Sequence, residues 1–294
     1  MNDFKKEIED ALKQRRPNLT PSSLKTYVSI LFNISKKIDP ENTVLSFFEN
    51  PERIMNLLEP LPPASRKTKL SSLFVLTGIE EYRRVMLADC SETNETYKQQ
   101  KKTQKQEEGW VTMKEVQDLY NQYYNNVTQI FSNKQLLNYD VIISYILLGC
   151  LGGVSGIPPR RSLDYCEVKV RNYDVKTDNY YKDGIFHFQI YKTAKVYGEQ
   201  VINVKQLAPA FYKILQKWIK INQNDYLIFT STGTKFTSSL VTRRFNQLFG
   251  KKASTNILRH SYLSEKYGDV QAEMQRDSSM MSHSMTEQGL YIKR

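Results

Sequence analysis

The chain has 294 residues, 40% of them hydrophobic, enough to bury one large core or two ordinary ones and too many for a disordered tail. Lys and Arg number 42 against 31 Asp and Glu, and the resulting +11 points to a polyanionic partner. Cys90, Cys150 and Cys166 are widely spaced and form no Cys-x-x-Cys pair, which excludes a disulfide scaffold or zinc motif and fits a reducing, intracellular setting.

The N-terminus is charged at once and lacks the apolar stretch of a secretory signal. Phe4, Ile8, Ala11 and Leu12 keep helical spacing, and Thr20 with Pro21 supplies an N-cap followed by a first-turn proline. Leu24, Tyr27, Val28, Leu31 and Ile34 form the apolar stripe of the next helix. Shorter helices are expected over 45–48, 54–58, 65–76 and 80–87, separated by Pro40, Pro51 and the Pro60 to Pro63 cluster. Residues 1–88 thus predict a helical bundle. Segment 89–108 is nearly without apolar side chains and is expected to be a linker.

Trp110-Val111-Thr112 opens a second domain, 109–294, with Thr112 placed to cap a helix through Val116, Leu119 and Tyr123. The apolar run 141–154 is interrupted by Ser144, Gly149, Gly152 and Gly153 and is shorter than the ~20 residues a bilayer needs, so it predicts a buried helix and no membrane partner. Strands are expected over 167–170, 185–191 and 200–204, with Asn179, Asp183-Gly184 and Gly198 as turn residues. Helices resume over 207–221, 238–249, 254–267 and 270–279. The expected fold class is mainly α with a small antiparallel β-sheet: a helical bundle followed by a mixed α/β domain. Before Gly109 there are 18 basic and 16 acidic residues; from Gly109 onward there are 24 and 15, so +9 of the charge lies in the second domain, where a polyanion would be drawn.

Three strings of that domain carry chemistry. Pro158-Pro159-Arg160-Arg161-Ser162-Leu163-Asp164-Tyr165 follows the buried helix, and Tyr191-Lys192-Thr193-Ala194-Lys195 falls at the turn of the expected hairpin. The third is Asn256-Ile257-Leu258-Arg259-His260-Ser261, followed by Met281-Ser282-His283-Ser284 and then Tyr291. In these strings the chain resembles the tyrosine recombinases, or phage-type integrases, and more distantly the type IB topoisomerases that share their catalytic domain. Arg161 with Asp164 matches the family's first arginine, Lys192-Thr193 its hairpin lysine, and Leu258-Arg259-His260-Ser261 its second arginine string. Ser282-His283-Ser284 matches its later histidine string and Tyr291 its nucleophile. The double arginine after Pro158-Pro159 resembles recombinases of large DNA viruses and mobile elements. The resemblance implies a core-binding helical domain that clamps DNA beside a catalytic domain. It also implies double-stranded DNA as partner, a homo-oligomer on that DNA, and strand exchange through a 3′-phosphotyrosyl intermediate without metal or other cofactor.

Each residue type suits that chemistry. Attack on a phosphodiester builds charge on the non-bridging oxygens, which the forked guanidiniums of Arg161 and Arg259 would hold. A phenol with pKa near 10 needs a base, for which His260 is the candidate, while His283 would hydrogen-bond the phosphate. Lys192 would protonate the departing 5′ oxygen. Arg160 stands as the alternative to Arg161, and Lys195 to Lys192. The third histidine, His187, lies in an alternating strand and is expected to be structural. Arg243, Arg244, Lys251 and Lys252 are expected contacts to the DNA backbone.

The sequence departs from the family in placing Asn256 where His or Lys is usual; an amide can bond a phosphate but supplies no proton at neutral pH. The interval from His283 to Tyr291 is one residue shorter than the family's, and only Ile292-Lys293-Arg294 follow. Asn256 keeps a catalytically silent DNA-binding protein as one alternative function, and the cleavage chemistry shared with type IB topoisomerases keeps supercoil relaxation as another, while the N-terminal helical bundle favours the recombinase.

Overall fold

The computed structural model describes residues 3–132 and 136–293. Met1 and Asn2, part of the charged N-terminus, lie outside the described residues. The chain divides into two compact units, Met1–Lys101 and Lys102–Arg294.

The first unit is helical throughout: α1 (Asp3–Arg15), α2 (Pro21–Ile38), a 3-10 turn at Leu45–Glu49, α3 (Pro51–Leu58), α4 (Pro63–Thr77) and α5 (Glu80–Lys98). The Thr20 side chain accepts from the Ser23 amide and Pro21 follows it, as the sequence predicts. Ile8, Leu12, Leu31, Phe48, Leu70 and Tyr82 are buried together, and the Tyr82 hydroxyl donates to the Phe48 carbonyl at 3.0 Å. Asp89 and Thr93, assigned to the linker by composition, are instead buried on α5. Asp89 accepts from Arg66 Nε at 2.9 Å and Nη2 at 2.6 Å, a forked pair that ties α5 to α4 and carries the first unit past residue 88.

The second unit contains α6 (Gln104–Gly109), α7 (Met113–Ser132), α8 (Tyr139–Leu151), α9 (Ser162–Cys166), β1 (Val168–Lys169), β2 (Asn179–Lys182), β3 (Ile185–Phe188), α10 (Ala194–Tyr197), β4 (Gln200–Asn203), α11 (Val204–Leu207), α12 (Pro209–Ile221), α13 (Ser238–Phe249), α14 (Thr255–Met280) and α15 (Met285–Tyr291). Helix α8 is the predicted apolar segment, and every residue from Ile142 to Leu151 is buried. Phe211 and Trp218 of α12 and Phe245 of α13 share its core. Gly149 is there because a Cβ would stand 2.3 Å from the Phe211 ring. Among the described residues no helix is long and apolar enough to cross a membrane.

The sheet has the order β1-β2-β3-β4. It is mixed: β1 pairs with β2 in parallel, and the other two pairs are antiparallel. Strand β2 was not expected, since Asn179 reads as a turn residue. Tyr180 and Tyr181 explain it: both are buried, and aromatic side chains fit a pleated, covered surface. A second difference lies in α14, which runs unbroken for 26 residues through Gly268, where the sequence suggests two helices.

Candidate active site

Ser155 Oγ donates to the Gly149 carbonyl at 2.6 Å and closes the end of α8. Pro158 and Pro159 then hold the chain extended until Arg161, the N-terminal flank of α9. Asp164, on the buried side of this single turn, accepts from Arg160 Nε at 3.0 Å. The Arg160 guanidinium also lies 4.2 Å from the Phe188 ring centre and 5.1 Å from that of Tyr191. The resemblance matches Arg161 and Asp164 as one motif, with Arg160 as the alternative arginine; in the structure the side chain bonded to Asp164 is that of Arg160. Among the described residues the Arg161 side chain has no hydrogen-bond or ion-pair partner.

Arg259 comes from the start of α14, where Ser254 caps the helix by accepting from the Ile257 amide at 3.3 Å. Ile257 and Leu258 are buried and fix the direction in which the next side chain leaves. Arg160, Arg161, Asp164 and Arg259 line one cavity of about 330 Å³ together with Tyr191, Thr193 and Gln200. Burial, then repulsion from Arg161 and Arg160, pulls the Arg259 guanidinium below its ordinary pKa, with Asp164 opposing. Burial raises the Asp164 carboxyl against the opposing pull of Arg160, Arg161 and Arg259. Arginine stays charged throughout the neutral range, so three guanidiniums face a single carboxylate in one recess. Such a recess is built to take an anion with several oxygens.

Lys192 lies in the turn after β3, exposed, between Tyr191 and Thr193 of the cavity wall. Its turn is anchored by Asn179, which sequence reasoning missed. This wholly buried amide donates to the Asp164 carbonyl at 3.0 Å and the Ile190 carbonyl at 2.8 Å, and accepts from the Gln189 and Ile190 amides at 2.8 and 2.7 Å. One side chain therefore joins the turn of Lys192 to the helix of Asp164. The Tyr191 hydroxyl adds a bond to the Gly198 carbonyl at 2.5 Å. Lys195 is exposed on α10 and is not part of the cavity lining.

His260 follows Arg259 and is exposed; Asn256 Nδ2 approaches its Nε2 at 3.4 Å. His187 is structural, stacked on Tyr180 at 4.3 Å with its Nδ1 2.9 Å from Glu199 Oε1. Of the four expected backbone contacts, Arg244 is paired with Asp140 and Lys251 with Glu115, both at 2.7 Å. Arg243 and Lys252 are exposed and, among the described residues, without such partners.

His283 and Tyr291 are brought to each other, with ring centres 5.6 Å apart. The His283 amide donates to the Ser278 carbonyl at 3.0 Å, and Ser284 and Glu287 form a reciprocal cap that starts α15. The pair is not brought to the arginines: α14 rises ~1.5 Å per residue, so its end at Met280 stands roughly 30 Å along the axis from Arg259. Tyr291 is 71% exposed and forms no part of the arginine cavity.

No family model and no curated protein matches the chain. Solved structures do. A lambda integrase (residues 75–356) dimer bound to a COC′ core site is 17% identical, with 90% of each chain covered and a TM-score of 0.49. The XerH site-specific recombinase bound to palindromic difH substrate is 13% identical over 96% of this chain and 79% of that one, with a TM-score of 0.45. XerA recombinase is 12% identical over 90% of this chain and 83% of that one, with a TM-score of 0.34. The group the motifs resemble and the group of solved structures this chain is similar to are the same, the tyrosine recombinases and integrases.

Proposed function

We propose that this chain is a site-specific DNA recombinase that cuts and rejoins double-stranded DNA through a 3′-phosphotyrosyl intermediate. The observation that carries it is the cavity in which Arg161 and Arg259, free of protein partners among the described residues, converge beside the Arg160–Asp164 pair. A phosphodiester fits this recess because its non-bridging oxygens accept forked hydrogen bonds and gain charge as the reaction proceeds.

The phenol oxygen of Tyr291 forms a bond to phosphorus as the bond to the 5′ oxygen breaks. The phenol proton passes to His260, and Lys192 gives a proton to the departing 5′ oxygen. His283 donates a hydrogen bond to a phosphate oxygen. The phosphotyrosyl bond retains the diester's energy, so a 5′ hydroxyl of a second strand reverses the step with no other reactant. An imidazole has one basic nitrogen, so Asn256 Nδ2, 3.4 Å from His260 Nε2, has to turn away for Nε2 to take the phenol proton. The exposed Arg243 and Lys252 hold the DNA backbone.

A silent DNA-binding protein is the second reading, and the position of Tyr291 at the far end of α14 is the observation that favours it. A duplex with a nick beside the cleavage site, which loses its short 5′ end on cutting, separates the two. The recombinase reading expects a covalent protein–DNA adduct with wild type, none with Tyr291→Phe, and a loss of at least about 100-fold with Arg161→Ala or Arg259→Ala. Tight DNA binding with no adduct from wild type would establish the silent reading. Exchange between two sites, against relaxation of a supercoil bearing none, separates recombinase from topoisomerase.

A further inference from the structure

We propose that Asn179 is a positioning residue for protonation of the departing 5′ oxygen: by fastening the turn of Lys192 to the helix of Asp164, it sets where the Lys192 ammonium stands relative to the phosphate in the arginine recess. The inference rests on the phosphotyrosyl reading and adds the residue on which its acid step depends.

The course of the chain creates the need. The antiparallel ladder of β2 and β3 ends at the Tyr180–His187 pair, and Gln189, Ile190, Tyr191 and Lys192 run on beyond it toward α10. None of these four side chains is buried, and Ile190 is 51% exposed. A segment that packs so little takes its place from hydrogen bonds. Asn179 supplies them where the ladder stops. Its Oδ1 accepts from the Gln189 and Ile190 amides at 2.8 and 2.7 Å, and its Nδ2 donates to the Ile190 carbonyl at 2.8 Å. The side chain thus stands in for the backbone of a neighbouring strand. The other Nδ2 proton goes to the Asp164 carbonyl at 3.0 Å, which uses the full capacity of a wholly buried amide.

That last bond turns a local anchor into a link between two parts of the chemistry. Asp164 holds Arg160 and shares its cavity with Arg161 and Arg259, while Lys192 is two residues past Ile190. The Tyr191 hydroxyl, bonded to the Gly198 carbonyl, closes the turn on itself and does not reach α9. The Arg160 guanidinium, 5.1 Å from the Tyr191 ring centre, touches both sides, but a contact with a ring face fixes direction weakly. Asn179 joins them by bonds of fixed direction. Proton transfer needs hydrogen-bond reach, and a misplacement of about 1 Å can cost about 100-fold, so a side chain that never meets the DNA gains leverage over the rate.

Replacing the bridging 5′ oxygen of the scissile phosphate by sulfur tests this. A 5′ thiolate, the base of an acid with pKa of about 8.5, departs without a proton, so the acid step drops out while the arginines keep their work. Adduct formation is followed on nicked duplexes of both kinds, with full-length protein in saturating excess so that an unfolded fraction does not alter the first-order rate. Lys192→Met is expected to lose at least about 100-fold with oxygen and to recover with sulfur; Arg259→Ala stays slow with both. Asn179→Ala is expected to follow Lys192→Met, with a loss of at least about 10-fold with oxygen, a rate close to wild type with sulfur, and no further loss when combined with Lys192→Met. Asn179→Asp keeps the shape of the side chain and an acceptor for the two amides but loses the amide donor to Asp164, and gives the same contrast. Asn179 variants that are slow with both duplexes, or unaffected with oxygen, overturn the positioning role and leave the phosphotyrosyl reading standing. A Lys192→Met chain that stays slow with sulfur overturns it too, because the acid is then elsewhere. No adduct from wild type on either duplex removes the phosphotyrosyl reading, and the positioning role with it.

Discussion

Arg160 is held by Asp164 through its Nε at 3.0 Å, and this contact leaves the adjacent Arg161 to the cavity. Two neighbouring arginines with the same sequence environment therefore have different work. The carboxylate is nearly inaccessible, so its removal from a guanidinium leaves a buried charge, whereas Arg161 has no protein partner among the described residues to lose.

Arg160→Ala is accordingly expected to cost about 3 kcal/mol of folding stability. Arg161→Ala should leave stability within about 0.5 kcal/mol, since it also relieves repulsion on Arg259. Urea denaturation of the two variants measures the difference. Equal losses would show that Asp164 is shared between them.

Asn179→Ala removes four hydrogen bonds from a buried amide and leaves the Gln189 and Ile190 amides without their acceptor. A loss of about 2–3 kcal/mol is expected, with faster amide exchange at 189 and 190. Protection unchanged at those amides would mean that the Lys192 turn is anchored by other contacts.

Gly149→Ala forces a methyl group into the Phe211 ring and is expected to cost about 1–3 kcal/mol by overpacking. Phe211→Leu, itself destabilising, should recover part of that cost when combined with it. The double-mutant cycle in urea gives the coupling, and strict additivity would contradict the contact.

The Lys169 ammonium beside Asp178, with the Asp174 amide, lowers the Asp178 carboxyl below its ordinary range. A carboxylate lowered on folding contributes stability that is complete above its unfolded pKa, near 4, and is lost as pH falls through the folded value. Stability of wild type should therefore fall below about pH 4 more steeply than that of Asp178→Asn. Parallel profiles between pH 6 and 2.5 would refute the pairing.

The arginine strings were legible in the sequence because their chemistry is local: a capped helix start at Ser254 and an extended approach through Pro159 fix Arg259 and Arg161 by short-range rules. What escaped was set by distance along the chain. Asp89 reads as linker until it meets Arg66, 23 residues earlier. Asn179 reads as a turn residue until the carbonyls of Asp164 and Ile190 surround it. The apparent break at Gly268 fails because a helix-interior glycine costs only about 1 kcal/mol against the bonds of the turns on either side. The order Arg, Lys, Arg-His, His, Tyr was thus readable from the strings, while the gap that the unbroken helix puts between Arg259 and Tyr291 was not.

The most direct measurement is the site of DNA attachment in the wild-type adduct, located by trypsin digestion and mass spectrometry of the nucleotide-bearing peptide. The phosphotyrosyl account predicts the nucleotide on Tyr291, in the peptide spanning 277–293. Attachment to any other residue, or tight DNA binding with no attached peptide, would contradict it.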